Sequence, residues 1–252
     1  MKKIAVLLIL FVSFCSAQIL EVKNIKETKK HLKKYDLVLL DLDNTVMEPV
    51  QQLASDQWFF HQMKSHQVNG LDFKKALDQT LSQWYEVQAI TKVRLVEQDI
   101  KDLIEKLQNK NTLIMGLTTR GVELSLAAIK QLDSLDIDLL KTAPRKEKIY
   151  FETGSFYNKG ILFANGINKG KVLESFFKKI EFYPKSIVFI DDKLHHLNEV
   201  KTFCSDANIK FLGLRYGYLD EKVKNFDKTI SDVQYKNLKN IISDKDAKKM
   251  IE

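Results

Sequence analysis

Short apolar runs recur along the chain, and three of them break into turns rich in carboxylates or hydroxyls. Leu37–Leu40, led by β-branched Val38, runs into Asp41-Leu42-Asp43-Asn44-Thr45 and predicts a buried strand ending in a loop. Thr112–Leu117 predicts a second such strand, ending in Thr118-Thr119-Arg120-Gly121, and Ser186–Ile190 a third, ending in Asp191-Asp192-Lys193. Lys210–Leu214 predicts a last strand, and Lys148–Phe151 with Gly160–Phe163 a hairpin around a polar, glycine-containing segment.

Helical spacing fills the intervals. Ile100, Leu103, Ile104 and Leu107 keep i, i+3, i+4, i+7 spacing and predict an amphipathic helix over Val96–Asn109. An imperfect stripe of Val22, Ile25, Lys29 and Leu32 predicts a helix over Glu21–Lys34 leading into the first strand. Pro49 should stop regular structure, after which Gln51–Gln67 and Leu71–Val87 predict two aromatic-rich helices broken at Asn69-Gly70. Further helices are expected over Val122–Leu132, from Lys169 with Val172, Leu173, Phe176 and Phe177 inward, over Leu194–Phe203 with Leu194, Leu197 and Val200 inward, and over the polar stretch Val233–Ile251.

Composition narrows the class. The chain has 252 residues, 44% of them hydrophobic, enough for one domain with an insertion, and its three prolines and nine glycines argue against a long disordered linker. Lys2 and Lys3, the apolar Ile4–Phe14 and Cys15-Ser16-Ala17 read as a secretory signal over residues 1–17, so export to the periplasm or beyond is expected, with no stable membrane insertion afterwards. A lipoprotein anchored through Cys15 is the less favoured alternative, because Phe14 stands where a small residue is usual. Processing after Ala17 would leave Cys204 as the one cysteine, with no internal disulfide possible. It would also lower the formal charge from +7 to +5, spread over helices as a solvated face rather than as an attractor of anionic substrates or membrane surfaces, and no nucleic-acid partner is expected.

The chemistry should sit at the strand exits. Ligand crevices of open parallel α/β sheets lie at the carboxyl ends of the strands, and alternation along an extended segment lets Asp41 and Asp43 share a face while Leu42 packs away from it. Carboxylates so close repel, and a hard divalent cation such as Mg²⁺ is the natural compensation. D-x-D-x-T by itself is also an ordinary turn. Thr118, between a strand end and a helix start, is a phosphate-ligand candidate or a helix cap. Lys169 opens a helix where the macrodipole is already positive, so it should face an anion, whereas Lys171 should face solvent. Asp191 and Asp192 again place carboxylates at the exit of an apolar run, and His195 and His196 read as surface or supporting residues.

D-x-D-x-T, a strand ending in threonine, a lysine opening a helix and an Asp pair ending another strand occur here in that order. The sequence resembles the haloacid dehalogenase (HAD) superfamily in this respect, and its phosphatase branch in particular. DLDNTVMEP and LTTR also look like the secreted bacterial acid phosphatases of that superfamily and a set of exported relatives of unassigned function. The resemblance implies a doubly wound, Rossmann-like α/β parallel sheet over residues 18–252, with a small helical cap inserted after the first strand at about 48–92. It implies Asp41 as nucleophile and Asp43 as acid and base, with Thr118 and Lys169 holding the phosphoryl oxygens. Mg²⁺ would be held by Asp41, Asp43 through its carbonyl, and Asp191 or Asp192. The chain departs from the acid phosphatases at His196, where they carry a further acid.

The function so implied is an exported, Mg²⁺-dependent phosphomonoesterase acting on a small phosphorylated substrate. A non-catalytic binding or host-interaction protein on the same fold and a phosphotransferase are the alternatives.

Overall fold

The computed structural model describes residues 17–32 and 35–252. The chain opens with β1 (Ala17–Val22) and the single helical turn α1 (Ile25–Thr28), followed by β2 (Leu37–Leu40). β3 (Met47–Pro49), α2 (Asp56–Val68), α3 (Phe73–Ile90) and β4 (Val93–Leu95) form an excursion before α4 (Asp99–Gln108) and β5 (Leu113–Thr118). A 3₁₀ turn leads into α5 (Ser125–Asp133), and β6 (Ile149–Tyr150), β7 (Phe156–Asn158) and β8 (Ile161–Phe163) follow. The last third holds α6 (Lys169–Ile180), β9 (Ser186–Asp191), α7 (Leu194–Asp206), β10 (Lys210–Tyr216), α8 (Asp220–Lys224), α9 (Lys228–Lys236) and α10 (Asp244–Lys249).

Eight strands make one sheet in the order β1-β10-β9-β2-β5-β8-β7-β6, parallel from β1 to β8 and antiparallel over the β8-β7-β6 edge. The fold is therefore α/β with a mostly parallel central sheet. β2 lies at its middle, and the chain winds outward from it to β5 and β8 on one side, then to β9 and β10 on the other. Such a reversal leaves a crevice at the carboxyl ends of β2, β5 and β9.

Two apolar layers sandwich the sheet because successive strand residues alternate faces. Val38, Leu40, Ile114, Val188 and Ile190 face α4, whose Ile100, Leu103, Ile104 and Leu107 are buried as their spacing predicts. Leu37, Leu39, Met115, Leu117, Ile187 and Phe189 face α6 and α7. A third, smaller cluster joins Leu53, Trp58, Trp84 and Val87 of the helical excursion to Leu124 and to Phe226, Tyr235 and Leu238 of the C-terminal segment.

Several expectations are corrected. Glu21–Lys34 is not one helix: Ala17 and Ile19 pack on one face of the sheet, Leu20 and Val22 on the other, and this period-two pattern makes residues 17–22 an edge strand. The expected signal segment lies, apart from Ala17, outside the described residues. The insertion accordingly follows the second strand of the chain. Pro49 ends β3, which pairs antiparallel with β4 as a short ribbon at the base of α2 and α3; a two-stranded ribbon has the free edge that proline requires. Phe156–Asn158 is a strand within the expected hairpin, so β8 can turn to pair with β5.

Leu194 is exposed, and the inner face of α7 is Leu197, Val200 and Cys204. The expected C-terminal helix is two shorter ones, α10 being restarted by Ser243, whose Oγ accepts from the Asp246 N–H at 3.1 Å. Among the described residues no helix is long and apolar enough to cross a membrane.

Candidate active site

Three strand exits and one helix start supply the polar cluster. Asp41 continues β2, and its backbone N–H donates to the Ile190 carbonyl of neighbouring β9 at 2.9 Å, which holds the two acidic exits side by side. Asn44 takes a left-handed conformation with φ of 59°, which asparagine tolerates, and its side-chain amide points to Asp192 Oδ2 at 3.4 Å. Leu42 is fully buried, as the alternation requires.

Lys169 reaches the cluster from the first turn of α6. Asn168 caps that helix, its Oδ1 accepting from the Lys171 N–H, and the Lys169 N–H donates to Glu199 Oε2 at 2.7 Å. Gly170 makes the approach possible: a Cβ there would lie 2.3 Å from the Glu199 carbonyl oxygen on α7. Packed so closely, α6 delivers a fully buried ammonium that donates to Asp41 Oδ1 at 2.6 Å and to Asp191 Oδ2 at 2.7 Å. Lys171 is exposed.

The charges do not balance. Asp41, Asp191 and Asp192 each bring a carboxylate oxygen within 4.8 Å of the others, against one bridging lysine. Burial raises the Asp41 carboxyl well above the usual carboxylate range, with Lys169 opposing and Asp191, Asp192 and Asp43 adding to the rise. Burial likewise pushes Asp192 up to about 7, against the pull of Lys193. Asp191 is buried too, but Lys169 and His196 overcome that and hold it down at about 2. One oxygen of Asp192, Oδ1, is buried with no protein hydrogen-bond partner. An all-oxygen, net-negative cluster with an unpaired buried oxygen fits a hard divalent cation.

Asp43 is not part of that cluster. Arg120 grips its carboxylate with both arms of the guanidinium, Nη2 to Oδ1 at 2.6 Å and Nε to Oδ2 at 2.8 Å. The remaining Arg120 donors go to Gln131 on α5 at 2.8 Å and Gln88 on α3 at 3.3 Å. Thr118 is buried at the end of β5, where its hydroxyl accepts from the Arg120 N–H at 3.2 Å. Thr118 thus shapes the turn that aims Arg120.

His196 is not a surface residue. It is buried, and its Nδ1 lies 3.2 Å from both oxygens of Asp191, while burial lowers its pKa. Its neighbour His195 is exposed. Lys193 forms an ion pair with Asp56, the first residue of α2; burial opposes charge on both, yet the pairing lowers the pKa of Asp56 and raises that of Lys193.

Arg120, Lys193 and Asp56 join the polar cluster beyond the residues expected from sequence, whereas His196 takes the supporting position beside Asp191 that is one of its two expected readings. The signal for the first two was available: each directly follows a strand exit that carries candidate chemistry, and a cation there must find an anion if it is buried. Asp43, Asp56, Arg120 and Lys193 open onto one cavity of ≈ 330 Å³, whose other wall is the aromatic face of α2 and α3.

The fold and cluster together define an α/β protein with a carboxylate-rich site at the switch point of a parallel sheet. A family model described as "Protein of unknown function (DUF2608)" matches residues 18–248, and the chain belongs to that family. Two proteins of Chlamydia pneumoniae, both named "Putative outer membrane protein", are similar to it. One is 22% identical over 242 residues, covering 90% of this chain and 88% of that protein. The other is 26% identical over 238 residues, covering 93% and 90%. Among solved structures, a "Putative haloacid dehalogenase-like hydrolase" from Bacteroides fragilis overlaps 73% of this chain and 99% of its own, at 11% identity and a TM-score of 0.48. At that score the overlap adds nothing to what the strand order already shows.

Proposed function

We propose that the protein is an exported phosphomonoester hydrolase of the haloacid dehalogenase type, dependent on a divalent cation and working through a phosphorylated aspartate. The observation that carries the reading is the fully buried Lys169 bridging Asp41 and Asp191 within an otherwise unbalanced carboxylate cluster. Structural clusters of this charge are costly to bury, and sites that bind a cation and an anion together have reason to keep them.

In this reading an Asp41 oxygen attacks phosphorus, the ester oxygen departs with a proton from Asp43, and a phospho-aspartate remains. Asp43 then takes a proton from water as the water oxygen attacks phosphorus, which releases inorganic phosphate and restores Asp41. Lys169 and Thr118 hold phosphoryl oxygens, and Lys169 also fixes the direction of the Asp41 carboxylate. Asp41, Asp191 and Asp192, with the Asp43 carbonyl, would hold Mg²⁺, which when bound supplies the positive charge that lets a carboxylate approach a phosphate anion. His196 orients Asp191 in place of the acid that the secreted acid phosphatases carry. The helical excursion of α2 and α3 serves as the cap.

Export is supported by the sequence of residues 1–17, by a family match that begins at residue 18, and by the outer-membrane names of the chlamydial relatives. Phosphate release from p-nitrophenyl phosphate by the purified protein, with Mg²⁺ and with chelator, tests the activity. Metal-dependent release that Asp41→Asn abolishes is expected; no release across a broad phosphoester panel would refute the proposal.

A further inference from the structure

We infer that the leaving group taken by this site is an apolar, ring-bearing alcohol esterified to a single phosphoryl group, rather than a sugar, a nucleoside or a bis-phosphorylated metabolite. The inference deepens the phosphatase reading and rests on it.

Its basis is the two-sided cavity of ≈ 330 Å³ beside Asp43. One side is charged and already internally paired: of the cations among the described residues lining it, Arg120 is bound to Asp43 and Lys193 to Asp56. No lining cation is left over for a second phosphate or a carboxylate. The opposite side is Phe59 and Phe60 of α2 with Leu77, Leu81, Trp84 and Tyr85 of α3.

The spacing of the α3 residues explains that wall. Leu77, Leu81, Trp84 and Tyr85 recur at three- and four-residue intervals and form one face of the helix. Trp84 is buried, but Leu77, Leu81 and Tyr85 are half-buried, so this face leaves apolar surface turned to the cavity. Phe59 meets Trp84 edge-on at 5.4 Å and Phe60 at 5.7 Å, which builds a ring-lined corner, and Phe60 remains 62% exposed at its rim. A polyol or a base with several heteroatoms would lose water against Phe59, Leu77 and Leu81, with the Thr119 and Tyr85 hydroxyls and the Asn165 amide as uncharged side chains of the lining able to return hydrogen bonds. A ring would bury area and find aromatic edges and faces. The volume is near the small end for ligand pockets and suits one or two fused rings.

The test compares three phosphomonoesters that all release a primary alkoxide, so that leaving-group basicity does not decide the result: 2-(1-naphthyl)ethyl phosphate, glycerol 1-phosphate and a nucleoside 5′-monophosphate. The naphthylethyl ester should show a kcat/KM at least tenfold above either other ester. Phe60→Ser and Leu81→Gln should shrink that ratio to within about threefold, chiefly through KM of the naphthylethyl ester. Binding of 2-(1-naphthyl)ethanol, followed by tryptophan fluorescence, reads the pocket without turnover. Equal kcat/KM for the three esters would overturn the leaving-group assignment and leave the phosphatase reading standing. Saturable naphthylethanol binding, weakened by Phe60→Ser, with no hydrolysis of any ester would uphold the pocket and refute the phosphatase. Absence of both naphthylethanol binding and ester preference would refute the pocket outright.

Discussion

Arg120 holds Asp43 by both carboxylate oxygens, at 2.6 and 2.8 Å, from a buried position braced by Gln131 and Gln88. In the proposed reaction Asp43 serves the departing alcohol, so one of these engaged oxygens would be released when substrate binds. The arrangement predicts different sensitivities for different esters. Asp43→Asn should lower kcat/KM for alkyl phosphates by about 10²–10⁴-fold, the usual worth of a positioned acid. It should lower kcat/KM, which reports the leaving-group step, far less for p-nitrophenyl phosphate, whose phenolate leaves unprotonated, while kcat falls for both esters because hydrolysis of the shared phospho-aspartate also uses Asp43. Arg120→Lys keeps the charge but loses the fork that spans two oxygens and the two glutamines, so it should reproduce that pattern in weaker form. Steady-state kinetics on the two ester classes distinguishes this from a direct role on the phosphoryl group, which would depress kcat/KM for both equally.

Two buried carboxylates and a half-buried third against one lysine predict a protein that is more stable with a divalent cation than without. At a Mg²⁺ concentration a hundredfold above Kd, linkage gives about 2.7 kcal/mol. For a domain of this size that corresponds to a rise in Tm of about 5–10 °C, readable by thermal denaturation with Mg²⁺ and with chelator. Asp192→Asn alters a proposed ligand whose Oδ1 has no protein partner and should abolish most of the rise. An unchanged Mg²⁺-dependent rise in that variant would show that Asp192 is not a ligand.

Tyr157 predicts a loss of stability in strong alkali. Its hydroxyl donates to the Arg145 carbonyl at 2.7 Å, its ring packs on Phe176 at 4.6 Å, and burial pushes its pKa from 10.0 up to about 12. The folded state therefore holds this proton more tightly than the unfolded chain. The contribution is full below pH 10 and disappears as pH rises from about 10 to 12. Tyr157→Phe should be less stable than wild type at pH 8 by about 0.5–1.5 kcal/mol, the net worth of a hydrogen bond. Urea midpoints taken from pH 8 to 12 should fall less steeply for the variant than for wild type.

The parts of the fold legible in the sequence are those whose pattern is local. Leu37–Leu40 and Ile187–Ile190 are unbroken apolar runs because β2 and β9 are covered on both faces, and the carboxylates that follow them mark the strand exits. The i, i+3, i+4, i+7 stripe of α4 is equally self-contained. β1 was hidden because its six residues straddle the end of the presumed signal, and their alternation has meaning only beside β10. The site was legible to the same extent. Asp41, Lys169 and Asp191 announce themselves by position along the chain. The partnership of Arg120 with Asp43, 77 residues away, and of Lys193 with Asp56, 137 residues away, depends on how the helical excursion folds back, which no local pattern encodes.

Gly170 links a packing requirement to the chemistry. It is not in a left-handed conformation; its constraint is the 2.3 Å that a Cβ would leave to the Glu199 carbonyl oxygen, a backbone atom that cannot swing aside. In Gly170→Ala, α6 must therefore withdraw from α7, at about 1–3 kcal/mol for overpacking. The retreat would carry Lys169 away from Asp41 and Asp191, because the lysine is the adjacent residue and its hydrogen bonds of 2.6 and 2.7 Å leave no slack. Activity should fall more than stability accounts for: at a temperature where Gly170→Ala is fully folded, kcat should still be reduced by at least tenfold, since misplacement of a positioning group by about 1 Å costs roughly 10²-fold. Gly170→Ser should behave no better, as the restriction is on Cβ itself. Wild-type kcat in a folded Gly170→Ala protein, measured beside circular dichroism and thermal unfolding of the same sample, would show that α6 does not have to sit this close for Lys169 to work.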